Sequence, residues 1–350
     1  MNLSEILFFG VFLIFIMTIL IIDLGLFNKK SHVVSFKESL IWTILWISFA
    51  LGFYVLILTN GRLIHGITDL DQLNFVIDKF QHQINIDGLS FQDALIIYQN
   101  NLGLEYITGY VIEYALSVDN VFVMIMIFMA FGVEQKYYHR VLFWGIFGAV
   151  VMRFIFIFGA SALIQQFAWV LYLFGILLVY TGVKMFLTRN KTDKIDSEHH
   201  PVVRYASRYF AVDSSYKGQS FRIKKNGRRF FTPLFVVLLV IEFTDVIFAV
   251  DSVPAIFSIT KDPYIVFFSN IFAIIGLRSL FFLLMNAMSY FHYLKLGLSI
   301  LLTFIGVKLL AHHWLDEIGF ETAHSLYVVL GILGSSMLAS LLFPEKKTSL

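Results

Sequence analysis

The sequence predicts an all-α polytopic membrane protein with about nine transmembrane helices, six of them in two inverted three-helix repeats. Three observations carry this. The chain is 58% hydrophobic and only 14% charged, where soluble domains have about 25% charged residues. Its mean hydropathy is +0.79, and its apolar runs approach the ~20 residues with which a helix crosses a bilayer. Finally, an acid-bearing helix, an arginine-bearing helix and a helix ending in Gly-Val-Lys follow one another twice in the same order.

Taken in order, residues 1–59 hold two spans, at 6–27 and 39–59. The first has Glu5 in front of it and no basic leader, and it ends in Asn28-Lys29-Lys30. It therefore reads as a retained span rather than a cleaved signal. Asp23 lies inside it, facing either a site or the interface. Residues 60–106 form an extracytoplasmic loop, in which 91–98 (FQDALIIY) reads as a short amphipathic helix on the membrane surface. The first repeat, 107–187, has spans at 107–131, 141–163 and 167–187. A basic cytoplasmic insert follows at 188–231, where Asn226-Gly227 between β-prone residues predicts a hairpin. The insert is either a positive-inside anchor or a contact for anionic lipid. The second repeat, 232–311, has spans at 232–257, 264–287 and 293–311. Thr232-Pro233 opens it, with Thr as cap and Pro in the first helical position. Residues 312–350 supply an outer loop, a last span at 325–343 and a cytoplasmic tail; His312, His313, Asp316 and Glu317 cluster in that loop.

Lysine and arginine set the orientation. With the N-terminus outside, nineteen of them fall on the cytoplasmic side and three (Arg62, Lys79 and Lys261) on the outer side. The C-terminus is then inside. The chain has no cysteine, so disulfides, thiolate metal sites and dithiol redox chemistry are excluded from the chain itself.

The acid helices point to function. Glu113-Tyr-Ala-Leu-Ser-Val-Asp119-Asn120-Val in the first repeat matches Asp245-Val-Ile-Phe-Ala-Val-Asp251-Ser252-Val in the second, and Glu242 adds a further acid. A carboxylate at the bilayer centre costs ~2.5–3.5 kcal/mol on insertion scales, which marks such residues as functional. The arginine helices match at Arg153 and Arg278, and the following helices at Gly182-Val-Lys184 and Gly306-Val-Lys308. Three spans per copy invert the second copy, and transporters of this architecture place their site near the midplane between repeats. Residues six apart on a continuous helix diverge by about 120°. Glu113 and Asp119 thus cannot aim at one ion without a break, whereas Glu242 and Asp245 share a face. Pro254 favours a break near Asp251.

The candidate ligands are Glu113, Asp119, Asn120, Glu242, Asp245, Asp251 and Ser252. The ten histidines fall in loops or at span edges. An oxygen-only set suits Mg²⁺, Ca²⁺ or Mn²⁺. Met124, Met126 and Met129 follow the first motif and read as packing, with a thioether preference for Mn²⁺ as the alternative. Arg153 and Arg278 either balance the acids or hydrogen-bond freed carbonyls. Lys184 and Lys308, at span ends, snorkel. No nucleotide loop, nucleophile elbow or zinc-peptidase motif stands out, so the expectation is a non-enzyme without a permanently bound cofactor, and with no nucleic-acid partner.

These stretches, together with Arg222-Ile-Lys-Lys-Asn226-Gly227 and Ser269-Asn270-Ile-Phe-Ala-Ile-Ile-Gly-Leu-Arg278, resemble the TerC family, in its Alx-like branch, within the LysE-type transporter superfamily. The resemblance covers most of the chain; the loop at 60–106 is longer than that branch leads one to expect. It implies a bacterial inner-membrane exporter of Mn²⁺, with the family's acids at Glu113, Asp119, Glu242, Asp245 and Asp251. Labels attached to the family, tellurium resistance and redox modulation, supply a rival: a membrane partner in a stress response that transports nothing. A proton returning through one of the acids is a candidate coupling ion.

Overall fold

Each apolar run becomes a helix. The computed structural model describes residues 3–27, 34–167, 169–188, 218, 220–225, 228–287, 293–311, 314–315, 320 and 322–343. The helices α1 (Leu3–Phe27) and α2 (Phe36–Asn60) precede two short ones, α3 (Arg62–His65) and α4 (Leu70–Phe80). Then come α5 (Phe91–Ala130), α6 (Tyr138–Gln166) and α7 (Val170–Thr188). A hairpin of β1 (Arg222–Lys225) and β2 (Arg228–Phe231) leads into α8 (Pro233–Phe257), α9 (Pro263–Ile275), α10 (Leu277–Ala287), α11 (Leu294–Leu310) and α12 (Thr322–Leu342). Among the described residues, seven helices are long and apolar enough to span a membrane, and α9 with α10 makes an eighth if the pair is one bent span. The helix α11 has 17 residues, about 25 Å at 1.5 Å per residue.

Local chemistry sets the helix starts. Ser35 accepts a hydrogen bond from the Glu38 amide at 3.3 Å and so caps α2. Asp69 caps α4 through the Gln72 amide at 2.9 Å. Asp262 caps α9 through the Tyr264 amide at 2.9 Å, with Pro263 next. Thr232 precedes Pro233 as expected, but its hydroxyl donates to the Ser220 carbonyl at 2.7 Å instead of capping the helix. The hairpin pairs Arg222 with Phe231 and Lys225 with Arg228. Its turn, 226–227, lies outside the described residues, as does most of the insert.

Two expectations need correction. Residues 91–98 are not a separate surface helix: they are the first turns of α5, which runs unbroken for 40 residues. Ser90 caps it through the Asp93 amide, and Ala94, Tyr98 and Leu102 are buried from the start. Nor does Pro254 break its helix, since α8 continues through it to Phe257. The break falls at Gly276, where α9 and α10 meet at 42°.

The matching helices of the two halves pack in antiparallel pairs. Gly109 of α5 faces Ile256 of α8, and Glu113 lies beside Ser252. Phe154 of α6 meets Phe267 of α9 at 5.8 Å between ring centroids, and Phe158 meets Tyr264 at 5.9 Å. In the third pair, Gly175 of α7 faces Leu310 and Gly306 of α11, while Gly182 faces Thr303. A Cβ on Gly306 would stand 2.7 Å from the Val179 amide nitrogen. The glycines thus let these two backbones approach closely, as small residues do between membrane helices. The glycine of the repeated Gly-Val-Lys sequence is therefore a packing residue. Lys308 of the same sequence donates to the Ser258 carbonyl at 2.9 Å, at the end of α8.

Connecting segments gather at two ends. At one end, Gln81 meets Lys261, and a polar cavity brings both together with Leu171, Lys308, Phe320 and Thr322. At the other, Arg140 lies over the Phe221 ring at 4.9 Å. This is the grouping that the alternation of spans requires.

Candidate functional site

The site sits where α5, α6, α8 and α9 meet. Asp245 is the middle residue of α8. Arg153, near the middle of α6, is 1% exposed and pairs with Glu113 of α5 across 2.5 Å. It also donates to the side-chain oxygen of Asn270 on α9. Asn270 in turn donates to the Val266 carbonyl at 2.8 Å, which fixes its oxygen toward the arginine. Asp245 lies within electrostatic reach of both Glu113 and Arg153.

Register explains which residues converge. Seven residues bring a helix back to within about 20° of the same face. Glu113, Ser117 and Asn120 therefore form one stripe on α5, and Asp245, Ala249 and Ser252 form one on α8; all six are buried. With Gly109 opposite Ile256 and Glu113 beside Ser252, the antiparallel register brings Asn120 level with Asp245. Each acid then stands across from the small polar residue of the other motif. The spacing of six between acids, which drew attention in the sequence, is not the one that builds this face.

The cluster is incompletely satisfied. Both carboxylate oxygens of Glu113, Oδ2 of Asp245, Oγ of Ser252 and Nε of Arg153 are buried without a hydrogen-bond partner. Buried polar atoms are paired as a rule, so such a group of exceptions asks for a functional reason.

The remaining candidates are placed around this core. Glu242, one turn before Asp245, is half-buried against Gly148 of α6, where a Cβ would run into its carboxylate. Asp251 points away to α7, accepting a hydrogen bond from Thr181 at 3.1 Å, with Lys184 nearby. Arg278 lies apart from the described acids Glu113, Glu242, Asp245 and Asp251. It lies beyond the Gly276 break in a small cavity lined by Ser39, Trp42, Trp46 and His139 among others. Asp119 lies in α5 and Asp23 in α1, but the side chains of both fall outside the described residues, as do His312, His313, Asp316 and Glu317. Among the described residues, no group of three His, Cys, Asp or Glu side chains is arranged to hold a metal ion. Met129 is 64% exposed on the outside of the bundle, away from this cluster.

Sequence reasoning missed the partners Ser117, Asn270 and Thr181. The first was in view as the residue four after Glu113. The others have no sequence signal, because long-range packing selects them.

Comparison with known proteins agrees with this architecture. Residues 98–348 match the model of the family described as "Integral membrane protein TerC family". A Myxococcus xanthus protein named "Uncharacterized membrane protein STKORF319" is 42% identical over 95% of this chain and 91% of its own length. Two proteins named "Putative membrane-bound redox modulator Alx" are also similar. The one from Photorhabdus laumondii is 37% identical over 95% of this chain and 93% of its own. That from Escherichia coli K12 is 38% identical over 93% of this chain and 92% of its own. No solved structure matches. The chain belongs to the TerC family of integral membrane proteins.

Proposed function

We propose that this protein is a secondary transporter that exports Mn²⁺ from the cytoplasm of a bacterium, across the inner membrane, through the cluster between α5 and α8. The observation that carries the reading is the pair Glu113 and Asp245, buried beside one arginine with carboxylate oxygens that lack aligned hydrogen bonds. Three carboxyl groups (Glu113, Asp245 and Glu242) outnumber the one arginine and offer the charge that a divalent cation would match. Oxygen donors alone suit hard cations. Arg153 acts as an internal cation: it holds Glu113 when no metal is bound and releases it when metal arrives. Asn120 and Ser252 add neutral oxygens, and Asp119 and Asp251 serve as relay or exit ligands along the two motif helices.

Three antiparallel helix pairs are the packing expected of two inverted copies, and that symmetry is the basis of alternating access in such folds. The N-terminus is outside and the C-terminus inside. A proton is the counter-ion, and no enzymatic step or resident cofactor is involved.

Manganese flux into inside-out vesicles tests this. Glu113→Gln and Asp245→Asn each lower flux at least tenfold at equal expression. Wild-type flux in both variants would show that the acids are structural. The rival reading is a membrane partner that transports nothing; the Alx relatives are named as membrane-bound redox modulators. A redox role would have to be indirect, because the chain has no cysteine. That reading predicts no flux in wild-type vesicles and an unchanged stress phenotype in both acid variants.

A further inference from the structure

The end of the bundle that gathers 62–90 and 258–262 carries a second buried set of charged groups, separate from the Arg153 cluster. His65, the last residue of α3, meets Asp262 at 2.8 Å through Nε2 and Glu5 of α1 at 3.6 Å through Nδ1. His82 meets Glu105 of α5 at 2.8 Å. Glu105 also accepts from Asn101 at 2.7 Å and from Thr260 at 2.6 Å. The Thr260 hydroxyl in turn accepts the Asp262 amide at 3.2 Å. All five titratable side chains are buried, Asp262 completely. Tyr98 and Tyr264 face the same cluster, and Lys261 and Lys308 stand at its edge. Glu105 lines a polar cavity of about 170 Å³ that also includes Gln81, Gln83 and Lys261, so protons have a route to it.

We propose that the His65–Asp262 and His82–Glu105 pairs form a proton-binding latch, which fastens the 62–86 segment to the 258–262 loop and opens when the histidines lose their protons. Two protonated histidines nearly balance three buried carboxylates. Without those protons, the three carboxylates lose the positive charges in direct contact with them, which is costly in a low-dielectric interior. Burial disfavours the charge on His65, but Asp262 and Glu5 outweigh it and raise its pKa to about 9. Burial likewise opposes the charge on His82, and Glu105 raises its pKa nonetheless. Asp262 is buried, yet His65 holds its pKa below the usual carboxylate value. For a histidine raised on folding, the stabilisation is complete below the unfolded pKa and disappears as pH rises through the folded one. The latch is therefore at full strength below about pH 6.5, weakens as pH rises, and has lost its stabilisation above about 9. The 258–262 loop joins α8 to α9, so the latch bears on two helices of the acidic site. The inference itself does not depend on the transport reading.

Hydrogen–deuterium exchange of the full chain in nanodiscs, corrected for intrinsic exchange, tests it. Protection of 62–86 and 256–262 should be flat below about pH 6.5, fall progressively and at least tenfold between there and about pH 9, and level off above it. Asp262→Asn keeps the size and a polar partner but removes the charge that holds the His65 proton. Its fall should end at least one pH unit lower. The double variant His65→Gln/His82→Gln should show no pH-dependent step in these segments. Unchanged protection to pH 10 in the wild type overturns the latch. So does a step at the same pH in Asp262→Asn, or a loss spread evenly over α1, α7 and α11, which would be general unfolding in base.

Discussion

The protein buries two clusters of charge, and they differ in how completely they are satisfied. Glu105 and Glu113 both lie on α5, eight residues apart, about 12 Å along the helix. Glu105 has a partner for each oxygen: His82 and Asn101 on one, Thr260 on the other. Glu113 has one ion pair, to Arg153, and neither of its oxygens has an aligned donor. In the same helix one acid is fixed from all sides and the other is held from one. An acid with every oxygen paired is held rigidly, even though His65 Nδ1, His82 Nε2 and the Tyr98 hydroxyl around it lack a hydrogen-bond partner. A partly satisfied one keeps room for another partner. The contrast separates a fastening from a site that changes occupants.

The largest effect should come from breaking the open cluster. Arg153→Met leaves Glu113 and Asn270 buried without the guanidinium. Removing one partner of a buried ion pair costs about 3–5 kcal/mol, because the other charge stays behind. The expected outcome is a clear drop in the unfolding midpoint in detergent, lower metal turnover and a shifted pH dependence. The double variant Arg153→Met/Glu113→Gln removes both charges and should recover most of the stability while staying inactive. If the double variant is as unstable as the single, the guanidinium holds the helices through Asn270 and the ion pair is incidental.

The closed cluster offers an intermediate effect. Thr260→Val removes one donor to Glu105 and leaves its shape. Hydrogen bonds to charged groups contribute about 1.5–3 kcal/mol. The variant should lose stability in that range at pH 7 and less at pH 10, where the latch is already open. Equal loss at both pH values would mean that Thr260 acts on the loop alone, outside the titrating pairs.

How far the sequence showed this can be read from particular residues. The spans were legible because burial in hydrocarbon demands long apolar runs, and the hairpin because Asn226-Gly227 suits only a few turns. Asp245 and Glu113 were legible as acids out of place. Their true neighbours were not: Asn270, which shares Arg153 with Glu113, comes from another helix, and the helical period favours the residue seven positions on over the acid six positions on. Arg278 matches Arg153 in sequence but follows the Gly276 break and lies beside α2 and His139. His65 and His82 were passed over because they fall in a connecting segment. Their burial depends on 62–90 folding back over the bundle end, a tertiary event without a local signal.

Ser252→Ala is the smallest change and the one that separates the two kinds of cluster most cleanly. In a closed cluster, deleting a hydroxyl costs a hydrogen bond; the buried Ser252 Oγ stands beside Glu113 without a well-aligned bond to it. Removing an unsatisfied buried polar atom also removes its desolvation cost, so the variant should be within about 0.5 kcal/mol of wild type, or slightly more stable. Its register beside Glu113 makes that hydroxyl a neutral ligand in the proposed site. Metal flux at saturating Mn²⁺ should then persist, while the concentration for half-maximal flux rises a few-fold. A stability-neutral substitution that weakens metal binding has no structural explanation, so this result would tie the open face of α8 to the transported ion. If half-maximal flux is unchanged, Ser252 is a packing residue, and the ligand set contracts to the acids and Asn120.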